Sequence, residues 1–199
     1  MYLGLTGRCI DRADALRLGL VTHCIAAAHH DAICAALADA QPIDPLLDGL
    51  HQDPGPAGLD TWREVISRCF SADDVAGICR RLAAETGAAG QWAAPVLVEL
   101  SRCSPMSLTV THRHIREALA RDLRQTLTVD YRLAAGLIES HDFREGVRAV
   151  LADKDASPNW RPAALTDVTA GMIEQLFHPL ASADELVLPT RQEMQAARV

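Results

Sequence analysis

The chain has 199 residues, 49% apolar and 23% charged, which suits one or two globular domains and excludes a disordered or fibrous polypeptide. Its 26 acidic residues outnumber 19 basic ones, for a net charge of −7. That balance argues against broad attraction to nucleic acid or anionic lipid, yet leaves room for a local basic patch.

No apolar run approaches the roughly 20 residues of a membrane span. The N-terminus lacks the basic start, apolar stretch and cleavage site of a secretory signal. A cytoplasmic protein with neither membrane nor nucleic-acid partners is the expectation. Cys9, Cys24, Cys34, Cys69, Cys79 and Cys103 include no Cys-x-x-Cys pair, and most sit in apolar helical patterns. They read as buried, reduced thiols.

In chain order, Tyr2-Leu-Gly-Leu-Thr6 reads as the end of a helix whose earlier turns would precede Met1, with Gly7 as C-cap. Asp11 caps a short helix through Arg17. The β-branched Val21–Ile25 stretch predicts one short strand. An alanine-rich helix follows, about His29 to Ala40, with Ile33 and Leu37 facing inward. Between Gln41 and Gly58 fall Pro42, Pro45, Pro54 and Pro56 with Gly49, Gly55 and Gly58, the composition of a linker or irregular crossover. Residues 1–40, 41–60 and 61–199 therefore read as a helix–strand–helix segment, a linker and a helical C-terminal subdomain.

Beyond the linker the pattern is helix upon helix. Thr61 to Phe70 carries Trp62, Val65, Ile66 and Cys69. Ser71, with Asp74 three residues on, caps a helix bearing Val75, Ile78, Cys79 and Leu82, and Gly87 and Gly90 break it. Trp92 to Leu100 comes next. Ser104-Pro105 pairs a capping serine with proline at the first helical position, ahead of Leu108, Ile115 and Leu119. Asp122 and Gln125 form a capping box before a stripe of Leu123, Leu127, Tyr131, Ala134 and Ile138. His141 to Pro162 reads as a helix capped by Asp142 and Glu145, with Phe143, Val147, Val150 and Leu151 on one face. Pro158-Asn-Trp-Arg-Pro162 ends it, the indole anchoring the exit. A last helix spans about Thr166 to Phe177.

The chemistry-bearing residues form no self-sufficient constellation. His112 and His114 are two apart and His29 and His30 adjacent, so neither pair shares a helix face for a metal. There is no Gly-x-Ser-x-Gly elbow and no phosphate-binding glycine loop. Glu145 reads as a cap rather than an acid or base. Arg148 and Lys154 flank one helix end, placed either to meet phosphates or to complement the helix dipole.

The order of these segments resembles the C-terminal half of 3-hydroxyisobutyryl-CoA hydrolase-like proteins, within the enoyl-CoA hydratase/isomerase (crotonase) superfamily. Tyr2-Leu-Gly-Leu-Thr-Gly7, Asp11-Arg-Ala-Asp-Ala15 and Leu18-Gly-Leu-Val-Thr-His23 fit the superfamily at large. Arg68-Cys-Phe-Ser-Ala-Asp73, Ser104-Pro-Met-Ser-Leu108, Asp130-Tyr-Arg-Leu133, His141-Asp-Phe-Arg-Glu-Gly-Val-Arg148, Asp153-Lys-Asp155, Pro158-Asn-Trp-Arg-Pro162 and Glu185-Leu-Val-Leu188 resemble the hydrolase branch.

The resemblance implies a mainly α fold, the helical C-terminal part of a crotonase-like fold, with at most one or two short strands near the N-terminus and residues 1–40 as the tail end of the crotonase core. It implies hydrolysis of an acyl-CoA thioester in valine catabolism by the complete enzyme. It places the oxyanion hole and the catalytic acids in an N-terminal spiral ahead of this stretch. No catalytic residue is therefore carried over, and no cofactor beyond the substrate's own coenzyme A is implied. Lys154 is the one position it suggests for CoA contact. The implied partners are acyl-CoA, a second copy of the chain, or an N-terminal crotonase core. The competing readings are a hydratase or isomerase segment, or a non-catalytic helical docking module.

Overall fold

The computed structural model describes residues 1–196, apart from the side chains of Arg191 and Met194. Residues 197–199 of the expected C-terminal subdomain lie outside the described residues. The chain divides into two compact units, one of residues 7–68 and one that joins residues 1–6 to the described chain from Cys69 onward.

Helix α1 (Tyr2–Thr6) ends at Gly7, whose φ of 62° is the left-handed geometry that glycine adopts at a helix exit. In residues 7–68, α2 (Arg12–Arg17) starts at Asp11, whose carboxylate accepts from the Asp14 amide at 2.8 Å. Asp14 is itself buried and accepts from the Leu59 amide at 2.8 Å, tying α2 to a single-turn helix at Gly58–Trp62. Arg17 adds a two-pronged bond to Asp60, 3.0 Å to each oxygen.

The strand expected at Val21–Ile25 does not form, and no strand occurs among the described residues. The Cys24 amide instead donates to His51 Nδ1 at 3.0 Å, while its carbonyl accepts from Gln52 at 2.8 Å. β-branched residues make a strand only beside a partner strand, and none is here. Helix α3 (His30–Ala38) packs on α4 (Ile43–Leu50) through Ala36 and the half-buried Ile33, so the inward expectation for Leu37, 58% exposed, is corrected. The covered ridge runs i, i+3 rather than i, i+4. Helix α4 lies inside the proline- and glycine-rich stretch, because Pro45 falls in its first turn, where a missing N–H breaks no helical bond. Helix α5 (Arg63–Phe70) completes the connection.

In the larger unit, α6 (Val75–Ala84) is capped by Asp74, not Ser71: the carboxylate accepts from the Gly77 amide at 2.5 Å. The Ser71 hydroxyl accepts from Arg81 instead. Helix α6 does end ahead of Gly87, where α7 (Gly87–Arg102) begins with φ 61°, but Gly90, also expected to break the preceding helix, lies inside α7. A Cβ at Gly90 would meet the Glu85 carbonyl oxygen at 2.7 Å, so glycine is there for close approach rather than termination. Helix α8 (Pro105–Ala118) has the expected serine cap, Ser104 Oγ accepting from the Ser107 amide at 3.1 Å. Leu119, expected inside, follows the last turn and is 91% exposed.

Helix α9 (Leu123–Ile138) shows the reciprocal Asp122–Gln125 capping box. Its buried face, however, is Val129 and Leu133, packed with Val110, Ile173 and Phe177. The expected stripe points outward: Leu123 is 74% exposed, Leu127 40%, Tyr131 43% and Ile138 51%, with Ala134 exposed too. Helix α9 carries two apolar faces, and α11 (Ala170–Phe177) covers only one, approaching closely where Gly136 faces Leu176. The same inversion occurs after α10 (His141–Val147): Phe143, Val147, Val150 and Leu151 are all exposed, while Asp142 and Ala149 are buried. A second core joins α6 and α7, where Ile78, Val96 and Leu100 are at most 1% exposed. Tyr2 seals α1 onto it through ring contacts with Phe70 (5.2 Å) and Trp92 (5.7 Å). Helix α12 (Arg191–Ala196) ends the described chain.

Candidate functional site

The densest polar construction is the 141–162 segment. Ser140 caps α10, its hydroxyl accepting from the Phe143 amide at 3.2 Å. That corrects the Asp142–Glu145 capping box. Both carboxylates have tertiary work instead. Asp142, 6% exposed, accepts from Ser104 Oγ at 2.5 Å and from the Arg161 amide at 2.8 Å, so it staples the start of α8 to the segment's exit. Glu145 accepts from Arg148 Nε at 2.9 Å and Nη2 at 2.8 Å, and from the Asn159 amide at 2.7 Å.

After α10 the chain makes one π turn, Arg148–Ala152, and Arg148 opens it. Its Nη1 donates to Asp153 at 2.6 Å and Asp155 at 2.8 Å, and its Nη2 reaches the Ser157 carbonyl at 3.3 Å. Three carboxylates thus occupy Arg148, against the phosphate contact that was one of its two readings. Lys154, flanked by two of those aspartates, is exposed, with φ 54°, an unusual left-handed backbone for a side-chain-bearing residue. Trp160 anchors the exit as expected: Nε1 donates to the Arg102 carbonyl at 2.9 Å, and the ring lies over Gly146. The Arg161–Pro162 peptide is cis.

Arg148 and the Asn159 amide hold the Glu145 carboxyl at about 2, well below its ordinary 4.5. Asp155 is lowered too, by Arg148 and the Ser157 amide, and Arg148 is raised in return. A carboxyl lowered in the folded state stabilises that state in full above its unfolded value, and the contribution fades as pH falls through the folded one. The exit turn is therefore expected to stay closed at pH 5 and to loosen on approach to about pH 2. The Asn159 amide chemical shift, followed by NMR against pH, checks this. A midpoint at the ordinary carboxylate value would show that the contacts do not hold in solution.

Other charged side chains are also paired within the fold. A cleft of about 510 Å³ includes Arg113, Arg121 and Arg132 in its lining, each engaged by a carboxylate: Arg113 by Glu117 and Glu174, Arg121 by Glu117, Arg132 by Glu185. The histidines of α8 face different neighbours, His112 donating to the Ala72 carbonyl at 3.2 Å and His114 bonding Asp130 at 2.5 Å. Among the described residues no three His, Cys, Asp or Glu side chains gather as a metal site. All six cysteines are free, and Cys9 and Cys34 are exposed, against the expectation of burial.

Residues 1–177 match the enoyl-CoA hydratase/isomerase family. The chain belongs to that family. Among curated proteins it is similar to 3-hydroxyisobutyryl-CoA hydrolase 1 of Arabidopsis thaliana, 36% identical across 98% of this chain and 54% of that one. It is also similar to the mitochondrial 3-hydroxyisobutyryl-CoA hydrolase of Homo sapiens, at 33% identity across 92% and 49%. Among solved structures, a carnitinyl-CoA dehydratase from Mycobacterium thermoresistibile superposes with a TM-score of 0.80 at 32% identity, covering 94% of this chain and 52% of that one. An enoyl-CoA hydratase from Rhodobacter sphaeroides 2.4.1 gives 0.79 at 28%, over 94% and 53%. The helical architecture is thus that of half a family structure, and the chain spans about half the length of the curated relatives it matches. No helix of the described residues is long and apolar enough to cross a membrane.

Proposed function

We propose that this chain forms the helical C-terminal part of a 3-hydroxyisobutyryl-CoA hydrolase, serving an acyl-CoA thioesterase of valine catabolism without carrying the bond-breaking groups itself. The observation that carries the reading is the match along nearly the whole chain to relatives named as that hydrolase, over only half their length. The 141–162 segment supports it: the carboxylates there are consumed in stapling the fold, and such a site offers no positioned nucleophile or oxyanion donors. In this reading Lys154 is the contact to a CoA phosphate, an ammonium displayed outside a turn whose acidic side chains already hold Arg148.

The test is chromatographic detection of free CoA from 3-hydroxyisobutyryl-CoA. The isolated chain is expected to give none above buffer. A single polypeptide joining the unmatched half of the Arabidopsis relative to Met1 is expected to hydrolyse it, and Lys154→Ala in that fusion to weaken substrate binding about two- to fivefold, the scale of an exposed ion pair. Full turnover by the isolated chain would overturn the proposal. The second reading, a hydratase segment, has the likeness to a carnitinyl-CoA dehydratase and an enoyl-CoA hydratase in its favour. Hydration of an enoyl-CoA by the fusion, without thioester cleavage, would select it.

A further inference from the structure

Among the described residues, one thiol combines exposure with a base beside it. Helix α3 turns Ala36 and Ile33 toward α4, which leaves His30, Cys34 and Leu37 exposed. His30 and Cys34, at i and i+4, share a face, and Cys34 Sγ lies 3.5 Å from His30 Nε2. With the ring proton on Nδ1, that nitrogen accepts from the thiol. The other five cysteines lack the combination. Cys24 is buried and donates to the Arg12 carbonyl at 3.6 Å. Cys69 is buried too and donates to the Glu85 carboxylate at 3.5 Å, which opposes a second negative charge. Burial pushes the Cys79 and Cys103 thiols up, toward the unreactive protonated form. Cys9 is exposed, yet no described side chain bonds to its sulfur.

The charge of the surroundings selects a reaction partner. Between Arg17 and Arg63 the sequence holds no lysine or arginine, while Asp31, Asp39, Asp44, Asp48, Asp53 and Asp60 fall there. Of these, Asp60 alone meets an arginine. All belong to the same compact unit as Cys34, so an approaching anion is repelled and a cation drawn in. We propose that Cys34 is a modification site for small cationic disulfides, with His30 as the group that takes its proton. The thiol hands its proton to His30 Nε2 as Sγ attacks one sulfur of the reagent. The reagent's S–S bond breaks, a new one joins Cys34 to the near half, and the far half leaves as a thiolate that recovers the proton from the imidazolium. Cys34 is thereby oxidised and the departing half reduced, so the disulfide is the only oxidant required. This reactivity is independent of the proposed thioesterase role.

Cystamine, a disulfide bearing two ammonium groups, and the anionic glutathione disulfide serve as probes on the full chain at neutral pH. Acid quenching followed by peptide mass spectrometry reads the adduct at each cysteine. In low salt, Cys34 should take up the cystamine half at least about fivefold faster than Cys9 does. Glutathione disulfide should lag behind cystamine at Cys34 by more than at Cys9, which has Arg8 and Arg12 near it in sequence, and high salt should narrow the difference. His30→Ala should bring Cys34 down to the Cys9 rate with circular dichroism unchanged. His30→Gln, whose amide oxygen accepts a hydrogen bond but takes no proton, should be equally slow, which separates proton transfer from mere positioning. A Cys34 rate no greater than that of Cys9 would overturn the proposal, as would either His30 variant labelling like the wild type. Equal discrimination between the two probes at Cys34 and Cys9 would refute the cationic partner.

Discussion

Replacing Asp142 with alanine is expected to destabilise the chain by about 2–4 kcal/mol, since two hydrogen bonds to a buried carboxylate disappear together. The Arg161 amide would lose its acceptor, and Ser104 would keep only its cap on α8. Asp142→Asn should cost less, because one amide oxygen remains, but its NH₂ must face one of two former donors. Denaturant titration checks the series: the midpoint should fall at unchanged slope, with Asn between wild type and Ala. A double-mutant cycle with Ser104→Ala should show coupling, since the two side chains share one bond. Independent, additive losses would mean that the staple contributes nothing.

The second large effect is expected at Leu100, 1% exposed between α6 and α7. Leu100→Ala should cost about 2–5 kcal/mol through lost burial plus a cavity. Leu123→Ala, at 74% exposure, should stay within about 0.5 kcal/mol in the isolated chain. Thermal unfolding of the two variants separates them, and equal losses would show that the outward stripe of α9 is buried in solution.

Those two leucines also show what a sequence can reveal about half of a fold. Periodicity located α9 and its ends, and local chemistry located its cap, because Asp122 and Gln125 need only each other. The same holds for Asp11 and for Ser104-Pro105. Periodicity could not say which of two apolar faces turns inward, since both satisfy the helical repeat and only the packing of α11 decides. Val21–Ile25 failed for a related reason: β-branching favours a strand, but the partner must come from elsewhere in the chain.

At the candidate site the difficulty was distance along the chain. Glu145 and Asp142 fit a capping box locally, yet Asp142 is claimed by Ser104, 38 residues earlier, and Glu145 by the turn beyond the helix. The pairing of Arg148 was more readable, with Glu145, Asp153 and Asp155 within seven residues of it. Cationic side chains so surrounded settle on their neighbours before they reach a ligand. The family likeness was legible because it resides in order and spacing, which survive where individual contacts do not.

The turn held by Arg148 has one more property. Lys154 is the only lysine in the chain, the other basic side chains being arginine or histidine. Apart from the terminal amine, amine-directed chemistry has a single side chain to find, presented on a left-handed bend beside the apolar π turn. The molecule is therefore nearly monovalent toward acylating labels and lysine cross-linkers, and any such mark reports from one known address.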